Sequence, residues 1–151
     1  MVRRSHIVRA NRFVWCAVLG LALNLAVGPA IADVVAVVSA KSVVTTLTKA
    51  QLTDIFLGKV NRFPNGAQAV PIDQPEGSAA RDEFYAKFAG KSASQIKAFW
   101  SKIIFTGRGQ PPKEVADSLE MKKRINENPS AIGYIEENMV DASVKVVLQQ
   151  L

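Results

Sequence analysis

A chain of 151 residues that is 48% hydrophobic, with a net charge of +6, holds material for one small core. Its one histidine, His6, and its one cysteine, Cys16, both stand near the N-terminus. The rest therefore has no thiolate nucleophile, imidazole base, disulfide or Cys/His metal site, and neither a metal nor another cofactor is expected.

Residues 1–32 read as a signal peptide. Arg3, Arg4, Arg9 and Arg12 precede an apolar run over 13–27, which breaks at Gly28-Pro29 before Ala30-Ile31-Ala32, an A-x-A cleavage pattern. An uncleaved anchor is the alternative, since the stretch is about long enough to span a bilayer; Asn24 and Pro29 argue against it. Cys16 follows Trp15, where a lipoprotein signal would place a small residue. The expected product is a periplasmic domain, 33–151. Four of the 19 basic residues would leave with the signal, so 15 would face 13 acidic ones, a net charge near +2. The basic balance is then a targeting feature, and no nucleic-acid partner is expected. The run Lys122-Lys123-Arg124 reads as a solvated helix face.

Along 33–151, the β-branched run at 33–40 predicts a buried strand. At 48–59 a short helix is predicted, with a Thr48/Gln51 capping box, an apolar face of Leu52, Ile55 and Phe56, and a stop at Gly58. Pro64-Asn65-Gly66 marks a turn before a strand that ends at Asp73. Ala80, Phe84 and Phe88 recur at helical spacing up to Gly90. Ser92 and Gln95 form a second capping box, opening a helix that carries Ile96, Phe99, Ile103 and Ile104. The loop at 106–112 precedes a third, longer helix following Pro112, with Val115, Leu119 and Ile125 inward, a Glu120/Arg124 surface pair and a stop at Asn128-Pro129. Strands at 131–135 and 144–148 close the chain. Strands alternating with helices, without repeats or a linker, predict one α/β domain.

The stretch Asp73-Gln74-Pro75-Glu76-Gly77-Ser78-Ala79-Ala80-Arg81 turns from a strand into a helix. Such a helix start is a natural anion site, because free N–H groups and the positive helix end converge there. Two uses of Ser78 stay open: contact with a ligand, or simple capping of the helix. Arg81 could reach an anion at Ser78, or pair with Asp82, Glu76 or solvent. Asp73 and Glu76 would repel an anion unless protonated or paired. At the 106–112 loop, Gly107, Arg108 and Gly109 are a second candidate, with tight-turn geometry as the alternative.

Four phrases, at 47–63, 76–84, 107–115 and 128–140, occur in an order that resembles the substrate-binding proteins of phosphate ABC transporters, members of the type 2 periplasmic binding protein group. The resemblance covers about 34–148. It implies an α/β fold, a single lobe with a central mixed sheet flanked by helices, where such proteins have two lobes closing on a ligand. The first strand would then enter the lobe, and the last two would return from it. It also implies phosphate or a related oxyanion as ligand, held by Gln74, Gly77, Ser78, Ala79, Ala80 and Arg81, and an ABC permease or membrane sensor as partner. The family's helix-starting motif is Gly-Ser-Gly-Thr, with an arginine four residues before the serine. Here Ala79 and Ala80 replace Gly-Thr and Gln74 stands at the arginine position, so a hydroxyl and the principal cation are absent. Losing that arginine alone would weaken binding roughly ten- to a hundredfold.

No enzyme is expected. Ser94-x-x-Lys97 has serine acyl-enzyme spacing but none of the companion motifs, and the adjacent acids Asp82-Glu83 and Glu136-Glu137 diverge rather than flank a substrate. Two functions remain: an exported oxyanion-binding lobe, acting alone or as a homodimer, and a ligand-free module that docks a protein partner.

Overall fold

In the computed structural model, residues 33–148 are described; the expected signal peptide lies outside them. The first strand, β1 (Val34–Ser39), buries every side chain but Val35. It can be so apolar because it is interior to a five-stranded mixed sheet of order β3-β2-β4-β1-β5. The other strands are β2 (Val70–Asp73), β3 (Lys113–Glu114), β4 (Ala131–Glu136) and β5 (Val144–Val146). β4 and β5 flank β1 antiparallel, with Val34 opposite Glu136 and Val37 opposite Val146. β2 runs parallel to both β4 and β3. Consequently β2, β3, β4 and β5 end, and β1 begins, at one end of the sheet.

The helices fall where the capping signals place them. α1 (Lys49–Phe56) has the reciprocal Thr48/Gln51 box and buries Leu52, Ile55 and Phe56. α2 (Ala79–Phe84) is capped by Ser78 and runs into a wider π-helical turn over Tyr85–Ala89. There the Gly90 N–H donates to the Tyr85 carbonyl, five residues back. The buried side chains of Ala80, Phe84 and Phe88 form the predicted stripe, although the widened turn is not legible in their spacing. α3 (Ala93–Phe105) has the Ser92/Gln95 box.

Two expectations are corrected. In α3 the inward residues are Ile96 and Trp100, with Phe99 and Ile103 partly buried, whereas Ile104 is 55% exposed. The reading had allowed one apolar side chain too many for the face that meets the core. The helix expected directly after Pro112 instead begins with the short strand β3, which pairs with β2. α4 (Ser118–Glu127) starts later, at the Asp117 cap. That shift turns Leu119 outward and brings Met121 in beside Ile125, while Val115 is buried ahead of the helix. The Glu120–Arg124 pair forms at 3.3 Å as its spacing predicts.

α4 can lie close to β4 because Gly133 has no side chain. A Cβ there would stand 2.4 Å from Met121 Sδ and 2.8 Å from Ile125 Cδ1. Gly133→Ala should therefore destabilise the fold by about 1–3 kcal/mol through overpacking, lowering the Tm by roughly 4–20 °C in thermal unfolding. An unchanged Tm would show that α4 is free to move away.

Candidate functional site at the end of the parallel strands

β2 ends in a carboxylate with nowhere to go but inward. Asp73 is 1% exposed, and an ion so placed stands only if its oxygens are fully bonded. Each oxygen has two donors. Oδ1 accepts from the Tyr134 hydroxyl at 2.5 Å and the Gln74 N–H at 2.9 Å. Oδ2 accepts from the Tyr85 hydroxyl at 2.8 Å and Arg81 Nε at 3.2 Å. Arg81 and Tyr85, four residues apart, share one helix face, and the guanidinium lies 5.2 Å from the centre of the Tyr85 ring. Phe84 stacks on Tyr134 at 4.1 Å, completing an apolar wall around the charge. Burial, and then the charge of Asp73, push both tyrosine hydroxyls well above their ordinary range.

Immediately after Asp73 the chain reaches the predicted residues. The Ser78 N–H donates to the Pro75 carbonyl at 3.0 Å, closing a tight turn in which Gly77 has φ +90°. That conformation favours glycine. The Ser78 hydroxyl accepts from the Arg81 N–H as the helix cap, and itself donates to Gln74 Oε1 at 2.7 Å. Gln74, 3% exposed, donates in turn from Nε2 to Ser118 Oγ at 2.9 Å. Ala79 faces solvent and Ala80 the core.

Of the six candidates, Gln74 and Ser78 are in direct contact and Gly77 shapes their turn, while the Arg81 side chain points away into the Asp73 pair. Its partner is neither Asp82, Glu76 nor solvent, as the sequence had suggested. Asp73 is thus paired, and Glu76 is held at the surface by Lys97 at 2.9 Å. Ser118 was not anticipated. It enters because parallel strands deliver their following helices to one end of the sheet, so the starts of α2 and α4 meet there with Gln74 between them. The loop with Gly107, Arg108 and Gly109 lies at the far end of α3 and shares no contact with this cluster.

The chain has two tyrosines, and both donate to Asp73. Because their folded pKa is raised above the unfolded value near 10, they contribute stability below that value and lose it as pH rises. Alkaline titration by ultraviolet absorbance should show no tyrosinate near pH 10 in the native chain, then appearance of both together with unfolding. Independent titration near 10 with the fold intact would contradict the buried arrangement. Asp73→Asn leaves Arg81 buried without its counter-charge and should cost about 3–5 kcal/mol in denaturant unfolding.

No protein-family profile matches the chain, and no curated protein matches it. Solved structures do. A structure from Clostridium perfringens, described as a phosphate ABC transporter substrate-binding protein with bound phosphate, aligns with a TM-score of 0.59 at 24% identity, covering 77% of this chain and 44% of that one. An ABC-type phosphate transport receptor from Vibrio cholerae aligns with a TM-score of 0.59 at 22% identity, over 76% and 45%. PstS from Borrelia burgdorferi gives 0.53 at 17%, over 78% and 47%. The chain thus spans less than half the length of these three proteins, and the likeness is one of fold: a mixed five-stranded sheet with flanking helices that matches part of each.

Proposed function

We propose that this chain is an exported, phosphate-type solute-binding lobe, which meets an oxyanion where the starts of α2 and α4 converge. The carrying observation is the Ser78–Gln74–Ser118 chain of hydrogen bonds at the carboxyl end of β2. Ligands of open α/β sheets bind at such ends. An oxyanion oxygen replacing Gln74 Oε1 would take over the Ser78 hydroxyl as donor. Backbone N–H groups of Ala79 and Ala80 at the helix start, and the amide of Gln74, would add further donors. Gly77 lets the backbone turn tightly enough to present them, and Arg81 orders the loop through Asp73. As a lobe of this kind the protein would serve an ABC permease or a membrane sensor, and no catalytic group is assigned to it.

A second reading is favoured by the same hydrogen bonds. Gln74 fills the corner, the hydroxyl of Ser78 is already satisfied, and Arg81 is neutralised by Asp73. A lobe in that state needs no solute and would act by docking a protein.

Calorimetric titration of the purified chain with phosphate, sulfate and nitrate at low salt separates the two. Saturable phosphate binding is expected, weakened about tenfold or more by Ser78→Ala and strengthened by Gln74→Arg, which restores a cation. Silence from both the natural chain and Gln74→Arg up to millimolar phosphate would overturn oxyanion binding and leave the docking reading.

A further inference from the structure

Charge is unevenly distributed along this chain. Between Glu83 and Glu114 lie thirty consecutive residues without an acid, carrying Lys87, Lys91, Lys97, Lys102, Arg108 and Lys113. Lys87 and Lys97 are paired with Asp33 and Glu76. Among the described residues, Lys91, Lys102, Arg108 and Lys113 form no salt bridge.

The most exposed large apolar side chain of the described residues sits inside this basic segment. Phe105, the last residue of α3, is 93% exposed, and Ile104 beside it is 55% exposed. Lys102 stands three residues before Phe105 and Arg108 three residues after it. The following loop leaves a shallow depression lined by Ile104, Gly107, Gly109, Gln110 and Pro111, so the aromatic ring stands out from its surroundings. A projecting apolar tip among unpaired cations has the chemistry of an interfacial membrane contact: the ring enters the headgroup–acyl boundary and the cations meet anionic headgroups.

We propose that the Ile104-Phe105 tip, with Lys102 and Arg108, is a docking point for an anionic lipid surface. Two observations select lipid over protein as occupant. The apolar group is a protrusion rather than a groove, and a fluid bilayer accepts a protrusion of any shape, whereas a protein must offer a fitted pocket. The exposed charges that flank Phe105 three residues away on either side, Lys102 and Arg108, are both cationic and form no salt bridge among the described residues, which suits an anionic surface. The inference is independent of oxyanion binding, since none of these residues hydrogen-bonds to the side chains of Gln74, Ser78 or Ser118.

Co-sedimentation of the purified chain with vesicles tests it, comparing phosphatidylcholine alone with phosphatidylcholine containing phosphatidylglycerol. Binding is expected to the anionic vesicles, falling as salt is raised. Phe105→Ser should lower partitioning about tenfold or more, and Lys102→Gln and Arg108→Gln about fivefold each. Circular dichroism should show all three variants folded, because the altered side chains are exposed. No retention on anionic vesicles at low salt, or retention undiminished in Phe105→Ser, would overturn the proposal. Capture by an acidic protein surface without retention on vesicles would overturn it too, and would assign the tip to a protein partner.

Discussion

The buried Asp73 carboxylate is the constraint on which the site end of this lobe depends. A desolvated carboxylate costs several kcal/mol unless it is fully bonded, and here its partners come from separate parts of the chain. Gln74 follows it on β2, Arg81 belongs to α2, Tyr85 opens the widened turn, and Tyr134 lies on β4. One charge therefore fixes how far α2 is rotated, where the π-helical turn stands and how β2 meets β4. Replacing the whole cluster with apolar residues would remove the desolvation cost, so its value lies less in net stability than in specifying one arrangement.

That specification has a consequence for the chemistry at the start of α2. Arg81 lies in the first turn after Ser78, where a guanidinium could serve an anion, but Asp73 holds it on the other side of the helix. Ser78 and Gln74 are left to face each other as neutral dipoles. With Arg81 committed to Asp73, any oxyanion here depends on hydroxyl, amide and backbone N–H donors without a counter-charge. An oxyanion must also displace an existing Ser78–Gln74 bond rather than fill an empty cradle. Fold and ligand chemistry are separable here: the α/β fold stands complete while the one cation in the first turn of α2 is committed to Asp73.

How much of this was legible follows from the range of the interactions. Capping boxes at Thr48/Gln51 and Ser92/Gln95, the stop at Gly90 and the Ala80-Phe84-Phe88 stripe involve residues within a turn or two of each other, and short-range patterns report them directly. Leu119 and Ile104 were misplaced because an apolar residue at helical spacing does not reveal how wide a face the core covers, and α4 begins later than the sequence suggests once Lys113–Glu114 pairs with β2. The contacts that define the site span much longer distances. Gln74 meets Ser118 across 44 residues and Asp73 meets Tyr134 across 61, and no spacing rule reaches so far. A signal was nonetheless present: an aspartate ending an apolar strand, in a chain with two tyrosines, asks where its hydrogen bonds come from.

The division of charge separates two kinds of surface on the same small lobe. At the sheet end, Glu76 and Asp117 stand exposed around the Gln74 corner, and Asp33 and Glu137 lie where β1 begins and β4 finishes. Glu76 and Asp33 are paired with Lys97 and Lys87, so a small anion approaching this end meets a mixed field that salt screens further. Of the basic residues between Glu83 and Glu114, Lys87 and Lys97 reach this same end through their pairs with Asp33 and Glu76, while Lys102 and Arg108 stand at and beyond the last turn of α3. Two unpaired cations around an exposed aromatic ring give that helix end a preferred orientation toward an anionic surface. With Phe105 held to such a surface, Lys102 and Arg108 are attracted to it. The loop of the Gln74 corner meets α3 in its first half, where Lys97 holds Glu76, so docking through the other end of that helix would leave the corner open to solute or partner.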